Sequence, residues 1–274
     1  FGPRVPNTQA HVQCAAYLTE TLKKFGAEVH VQNVKLTAYN GDVLNASNII
    51  GVYNPSSTKR ILLCAHWDCR PWSDHDPDPA NRYKPVTGAN DGASGVGVLL
   101  EIARQLSDSL PAVGVDIVLF DAEDYGPHED YSGKTEDAWC LGSQYWAKNP
   151  HVQSYNAMYG ILLDMVGDAN ATFYKEYFSK YYAATIVNKV WNMAQELGFN
   201  DYFIHQAGGA VTDDHYYVNT LTGIPCIDII DYKPSGKSGF VPYWHTVSDT
   251  MENISKNTLH AVGTTVLQVI YAEK

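Results

Sequence analysis

The sequence predicts an α/β sandwich: a central sheet, mixed but mostly parallel, flanked by helices. Three observations lead there. The runs "ILLCA" (61–65), "VDIVLF" (115–120), "AMYGILL" (157–163) and "IPCIDII" (224–230) are apolar almost throughout, the pattern of strands buried on both faces of a sheet. Helical periodicity alternates with them, as a layered α/β chain requires. Finally, 274 residues at 45% hydrophobic content can bury one substantial core, and no break in composition divides them. Residues 1–274 are therefore expected to form a single domain.

Taken in order, Ala15, Leu18, Leu22 and Phe25 recur at helical spacing and Gly26 follows as a stop signal, giving an N-terminal amphipathic helix. "AEVHVQNVKL" (27–36) then reads as a strand. The strand at 61–65 leads into "RPWSDHDPDPANRYKPVTG" (70–88), a polar, proline-rich connection whose length marks a functional loop. Val96, Leu99, Leu100, Ala103 and Leu106 define the next helix, ahead of the strand at 115–120. The strand at 157–163 precedes a helix through Ile186, Val190, Met193 and Leu197. After the strand at 224–230, Leu259, Val262, Val266 and Val269 predict a closing helix. No internal repeat is visible.

Charge narrows the function classes. Nineteen Lys and Arg against thirty Asp and Glu give a net charge of −11, which opposes sequence-independent binding to nucleic acid or anionic lipid. No apolar run approaches the roughly 18 residues needed to span a bilayer. Five cysteines, Cys14, Cys64, Cys69, Cys140 and Cys226, are too few and scattered for a disulfide scaffold or a structural zinc cluster. Whether Cys64 and Cys69 pair is open.

The chemistry collects where strands end, which is where ligands bind in such sheets. "VLFDAEDYG" (118–126) runs from an apolar strand into Asp121, Glu123 and Asp124. Buried carboxylates without partners are costly or protonate, so a positive charge should wait there. "ILLCAHWD" ends in His66 and Asp68, and "ILLDMVGD" brings Asp164. "GANDGASG" (88–95) sets Asp91 in a glycine-rich turn before a helix, and "VPYWHTVSDT" (241–250) places His245 beyond the last strand. Imidazole and carboxylate converging on one edge suit Zn²⁺.

Each residue also has a plain structural reading. Asp91 could be a turn former, His66 a satisfied core histidine, and Asp213 or Asp214 a helix cap. Asp74, Asp76 and Asp78 read most simply as a solvated, proline-stiffened surface, since the glycine and final glutamate of an EF-hand are missing. Five motifs at successive strand ends outweigh the plain readings.

In order and spacing, "AHWD", "GANDGASGVGVLLEIAR", "FDAED", "LLDMVGD" and "YWHTVSDT" resemble the zinc-dependent aminopeptidase fold and its offshoot, the glutaminyl cyclases. The resemblance covers roughly residues 60–270. Both groups fill the positions of His66, Asp91, Glu123, Asp124, Asp164 and His245. The resemblance favours the cyclases because "TDDHYYVNTLTGIPCIDII" matches them with the catalytic Asp at Asp213, and because Trp244 directly precedes His245. "AHWDCRPWSDHDPDPA" looks in particular like the bacterial cyclases. Two departures stand out: Asp124 where many relatives have Glu, and Asp228 where animal cyclases have His.

This resemblance implies a glutaminyl-peptide cyclotransferase acting on peptides and proteins with N-terminal Gln. One zinc per chain would be held by Asp91, Asp124 and His245, with His66 a ligand only if a second metal binds. It further implies Glu123 as proton shuttle, Asp213 as partner of the leaving nitrogen, Asp164 in an acidic network with it, and Trp244 as a wall of the substrate pocket. The alternatives are a two-zinc aminopeptidase and, in another class, a catalytically silent receptor domain on the same fold. An opening "FGPRVPNTQ" without Met fits a removed leader, and the bacterial cyclases are exported, so a periplasmic or lipoprotein-anchored location is expected.

Overall fold

The computed structural model describes residues 1–236 and 238–274. Its helices are α1 (Gln9–Lys24), α2 (Ala93–Asp108), α3 (Leu141–Lys148), α4 (Tyr177–Glu196), α5 (Asp214–Thr222) and α6 (Lys256–Ala272). Its strands are β1 (Glu28–Thr37), β2 (Val43–Tyr53), β3 (Arg60–His66), β4 (Gly114–Phe120), β5 (Tyr159–Asp164), β6 (Phe173–Lys175), β7 (Phe203–Ala207) and β8 (Cys226–Ile230). Six of the strands form one sheet in the order β1-β2-β4-β3-β5-β8, and β6 pairs with β7 separately.

The sheet is mixed and mostly parallel, as the sequence predicts. The pairings β4–β3, β3–β5 and β5–β8 are parallel, and β2 runs against both of its neighbours. Register fixes the chemistry. His66 stands opposite Phe120, Cys64 opposite Leu162, and Asp164 opposite Ile230, so the carboxyl ends of all four parallel strands meet at one edge.

Strand period 2 sorts side chains to the two faces. Ile61, Leu63, Ile117, Leu119, Ile161 and Leu163 pack with α1, α2, α4 and α6, whereas Leu62, Cys64, Val118, Phe120 and Leu162 pack with α3 and α5. Glycine permits the closest layer contact. A Cβ at Gly95 would collide with the Leu163 carbonyl oxygen, so α2 can lie against β5 and bring the turn holding Asp91 beside Asp164.

One expectation is overturned in the 70–88 connection. Asp78 is exposed as expected, but Asp74 and Asp76 are buried, 1% and 3% exposed, instead of forming a solvated surface with it. Arg70 donates to both carboxylate oxygens of Asp74 at 2.8 and 2.5 Å, and Asp76 accepts from the backbone of Asp78 and Val247. The acids are internal acceptors that fold this loop onto the site edge. Cys64 and Cys69 are unpaired, buried thiols. Among the described residues no helix is long and apolar enough to cross a membrane.

Candidate active site

The strand-end carboxylates turn out to have different partners. Asp121 faces no metal position: it lies 2.9 Å from His11 Nε2 and accepts from the backbone N–H groups of Ser47 and Ala122. The partner of this carboxylate, just past the end of β4, is therefore an imidazole on α1. Asp68 is likewise a brace, its two oxygens accepting from the N–H groups of Glu123 at 3.1 Å and Asp124 at 3.2 Å. Cys140 completes the turn with its N–H on the Glu123 carbonyl and its thiol 3.2 Å from Glu123 Oε1. Glu123 and Asp124 are thus held side by side, on an otherwise irregular segment, by hydrogen bonds to their own backbone.

Asp91, Asp124 and His245 come from three separate segments, and one donor atom from each lies within 4.8 Å of the others. His245 Nε2 is 3.2 Å from Asp124 Oδ1 and 3.5 Å from Asp91 Oδ2. Asp249 accepts from the N–H groups of Asn90 and Asp91 at 2.8 and 3.1 Å, which orients the Asp91 turn. His245 is sandwiched by Trp244, whose ring centroid is 3.7 Å away, and more distantly by Trp139. Burial, then the nearby Arg70 charge, pushes the His245 pKa well below the ordinary value, leaving the neutral imidazole a metal requires.

The donor set fits a divalent cation of the zinc type. It offers one imidazole and two carboxylates, all three residues are buried, and neither Asp124 oxygen accepts a hydrogen bond. Burial and then Asp91 push the Asp124 pKa well above the usual carboxylate range. That strain of charge is what a bound cation relieves.

His66 lies beneath. Its Nε2 is 2.9 Å from Asp91 Oδ1 and 3.3 Å from Asp164 Oδ1, and its Nδ1 is 3.3 Å from Asp68 Oδ1. Burial disfavours its charge, but the hydrogen bonds to Asp164, Asp68 and Asp91 prevail and hold its pKa well above the ordinary value. His66, Asp91 and Asp164 also meet the spacing of a metal site.

A cavity of about 550 Å³ opens on these groups. Glu123, Asp164, Asp213, Trp139, Trp244 and Phe240 are among its walls, as are Asp91, Asp124 and His245. Donor atoms of Glu123, Cys140 and Asp213 lie within 4.8 Å of one another, as do those of Asp213, His215 and Asp228. Asp213 also caps α5, accepting from Asp214 N–H at 2.5 Å, while its Oδ2 accepts nothing. The cap reading of this residue holds, and the same residue lines the cavity. Burial first, then Asp124 and Asp213, push Glu123 well above its usual pKa, though the His66 charge opposes them. Burial pushes Asp164 up to about 7, and Asp91 and Asp213 add to it while His66 opposes. Burial, then Asp213 and Asp164, pushes Asp228 well above the usual carboxylate range. One acidic network therefore holds fewer charges than carboxylates.

The structure brings Asp91, Glu123, Asp124, Asp164, Asp213, Trp244 and His245 onto one cavity and buries His66 against Asp91 and Asp164, while Asp121 turns to His11 and Asp68 to the Glu123–Asp124 backbone. Sequence reasoning missed Arg70, Trp139, Cys140 and Asp249. Arg70, buried and stacked 4.6 Å from the Trp139 ring, stands 3.7 Å from Asp124. Its spacing of four from Asp74 was a readable signal; the others had none.

A sheet of this topology with metal-type ligands at its parallel strand ends defines the class. The model of peptidase family M28 matches residues 48–270, and the chain belongs to that family. Among particular relatives, it is similar to Tannerella forsythia glutaminyl cyclase, with 60% identity and a TM-score of 0.98 over 100% of this chain and 94% of that one. A Zn-dependent exopeptidase from Parabacteroides distasonis is 59% identical with a TM-score of 0.98, covering 99% and 93%. The glutaminyl-peptide cyclotransferase of Bos taurus is 25% identical over 83% of this chain, which spans 66% of that protein's length.

Proposed function

We propose that this protein is a glutaminyl-peptide cyclotransferase that converts N-terminal Gln of peptides and proteins to pyroglutamate, using one zinc held by Asp91, Asp124 and His245. The observation that carries the single-metal reading is His66. Both of its ring nitrogens are within hydrogen-bonding distance of carboxylates, Asp68 on one side and Asp91 on the other, whereas both oxygens of Asp124 and Nδ1 of His245 have no hydrogen-bond partner, so the carboxylates around His66 are already satisfied by its imidazole and those of the Asp124 site are not. Similarity to the Tannerella forsythia cyclase supports the activity.

When bound, zinc would supply Lewis-acid polarisation of the substrate γ-carbonyl. The α-amine nitrogen attacks that carbon, the bond from the carbon to the amide nitrogen breaks, and ammonia leaves. Glu123, with its raised pKa, takes a proton from the amine and returns one to the leaving nitrogen. Asp213 accepts a hydrogen bond from that nitrogen through its unpartnered Oδ2. Asp164 shares the network's proton, since neighbouring carboxylates do not all ionise. Trp244 walls the substrate side chain. No external water is needed, which suits an aromatic-walled cavity.

A second reading, a two-metal aminopeptidase, rests on the metal-like spacing of His66, Asp91 and Asp164. Ammonia release together with metal content separates the two. One zinc per chain and one ammonia per Gln-initiated peptide supports the cyclase; two zincs and no ammonia sinks it. By analogy with exported bacterial cyclases, we place the protein outside the cytoplasm, in the periplasm or on a lipid anchor.

A further inference from the structure

We infer that Arg4 is a positioning residue for the metal centre, although it lies at the far end of the chain from most of the ligands. Arg4 is only 8% exposed. Its guanidinium donates to five carbonyls: Nε to Trp67 at 2.8 Å, Nη1 to Thr87 at 2.8 Å and Gly2 at 3.4 Å, and Nη2 to Gly88 at 2.8 Å and Asp68 at 3.3 Å. Its backbone N–H also reaches Cys69 Sγ at 2.8 Å. No carboxylate pairs with the side chain among these contacts.

The carbonyls it binds belong to two loops that the site depends on. Trp67 and Asp68 follow His66 at the end of β3, and Asp68 fixes the Glu123–Asp124 backbone. Thr87 and Gly88 lead into Asn90 and Asp91. Trp67 and Asp68 have just left β3, and Thr87 and Gly88 lie in the turn before α2, so these carbonyls have no ladder partners, and a rigid fork with five donors spans the two loops together. Packing confirms how closely the fork is fitted: a Cβ on Gly88, whose φ is +65°, would collide with Arg4 Nη2 and the Asp91 carbonyl oxygen. Arg4 therefore sets the separation between the Asp68 brace and the Asp91 ligand.

The inference rests on the zinc-cyclase reading above, and its test separates the two. The rate of zinc release to a chelator is measured with no substrate present, alongside kcat and KM on a Gln-initiated peptide, for wild type, Arg4→Met, Arg4→Lys and Val269→Ala. The last truncates a buried residue of α6 and controls for general destabilisation. Groups that orient metal ligands typically govern affinity or activity by about 10–100-fold. Arg4→Met should therefore release zinc at least about tenfold faster and lose kcat in proportion, with KM within about twofold; Arg4→Lys should fall between. Val269→Ala should lower the melting temperature and leave both readouts alone. Wild-type zinc release in Arg4→Met, or equal acceleration in the control, overturns the inference. If Arg4→Met does not fold, Arg4→Lys decides by the same two readouts. A wild-type protein unable to cyclise Gln peptides would overturn the cyclase reading, and zinc release would still decide the role of Arg4.

Discussion

At Glu123 the surroundings and the assigned chemistry can be tested against each other. Its backbone is fixed by Asp68 and Cys140, so Glu123→Gln should keep its place and its neighbour's metal. Turnover should fall by about 10²–10⁴-fold, the range for losing a general acid–base group, with zinc content unchanged. Activity within a few-fold of wild type would remove Glu123 from the shuttle role. His245→Ala should lose zinc and activity together, because two carboxylates alone hold zinc poorly at neutral pH. His66→Ala should keep close to one zinc per chain; metal analysis showing a fall from two to one would instead favour the aminopeptidase. These residues were legible from sequence because each is a metal-type side chain at or beyond the end of an apolar strand. Asp121 misled for the same reason: its partner, His11, lies 110 positions away and leaves no trace in the local pattern. Asp249 and Cys140 act on backbone groups, and such contacts have no signature in residue type.

Among the elements, the buried strands β3, β4, β5 and β8 and the long amphipathic helices α1, α2, α4 and α6 were readable, since uninterrupted burial and a 3.6-residue period survive in sequence. The strand β2 was not. Asn45, Ser47 and Asn48 interrupt its pattern because they serve neighbours: Asn48 donates to the Gly142 carbonyl and accepts from Asp121 N–H. Eight-residue α3 begins at Cys140 with a left-handed backbone and no side-chain cap, so it lacks a start signal. The start of α4 supports a separate expectation. Glu176 caps it, accepting from Phe178, Ser179 and Val211 N–H groups and lying 3.1 Å from His215 Nε2. Burial opposes its charge, yet His215 and these N–H groups hold its pKa down to about 2 from 4.5. A lowered carboxylate pKa stabilises the fold fully above the unfolded value and ceases to do so as pH falls through the folded one. Glu176→Gln should therefore cost on the order of 3 kcal/mol near neutrality, and the gap from wild type should close between pH 4.5 and 2. Denaturant unfolding across that range checks it; a constant gap would show that the charge is not responsible.

For the whole molecule, parallel pairing and register bring the ends of β3, β4 and β5, with His66, Glu123, Asp124 and Asp164 at or just past them, to one sheet edge, and Asp91 and His245 reach it from the segments before α2 and after β8. What sequence could not supply was how the surrounding loops close. The 70–88 segment, polar and proline-rich, folds inward because Arg70 and the Val247 backbone meet its acids, and it thereby packs His75 against Trp244 and His245, behind the cavity wall. Such a site should take one N-terminal residue and convert it without water. The most direct test is to incubate the wild-type protein with Gln-Ala and Leu-Ala peptides in parallel and determine the product masses. The expected result is a Gln peptide lighter by one ammonia and an intact Leu peptide. Release of free Leu with the Gln peptide unchanged would contradict the cyclase and assign the site to hydrolysis.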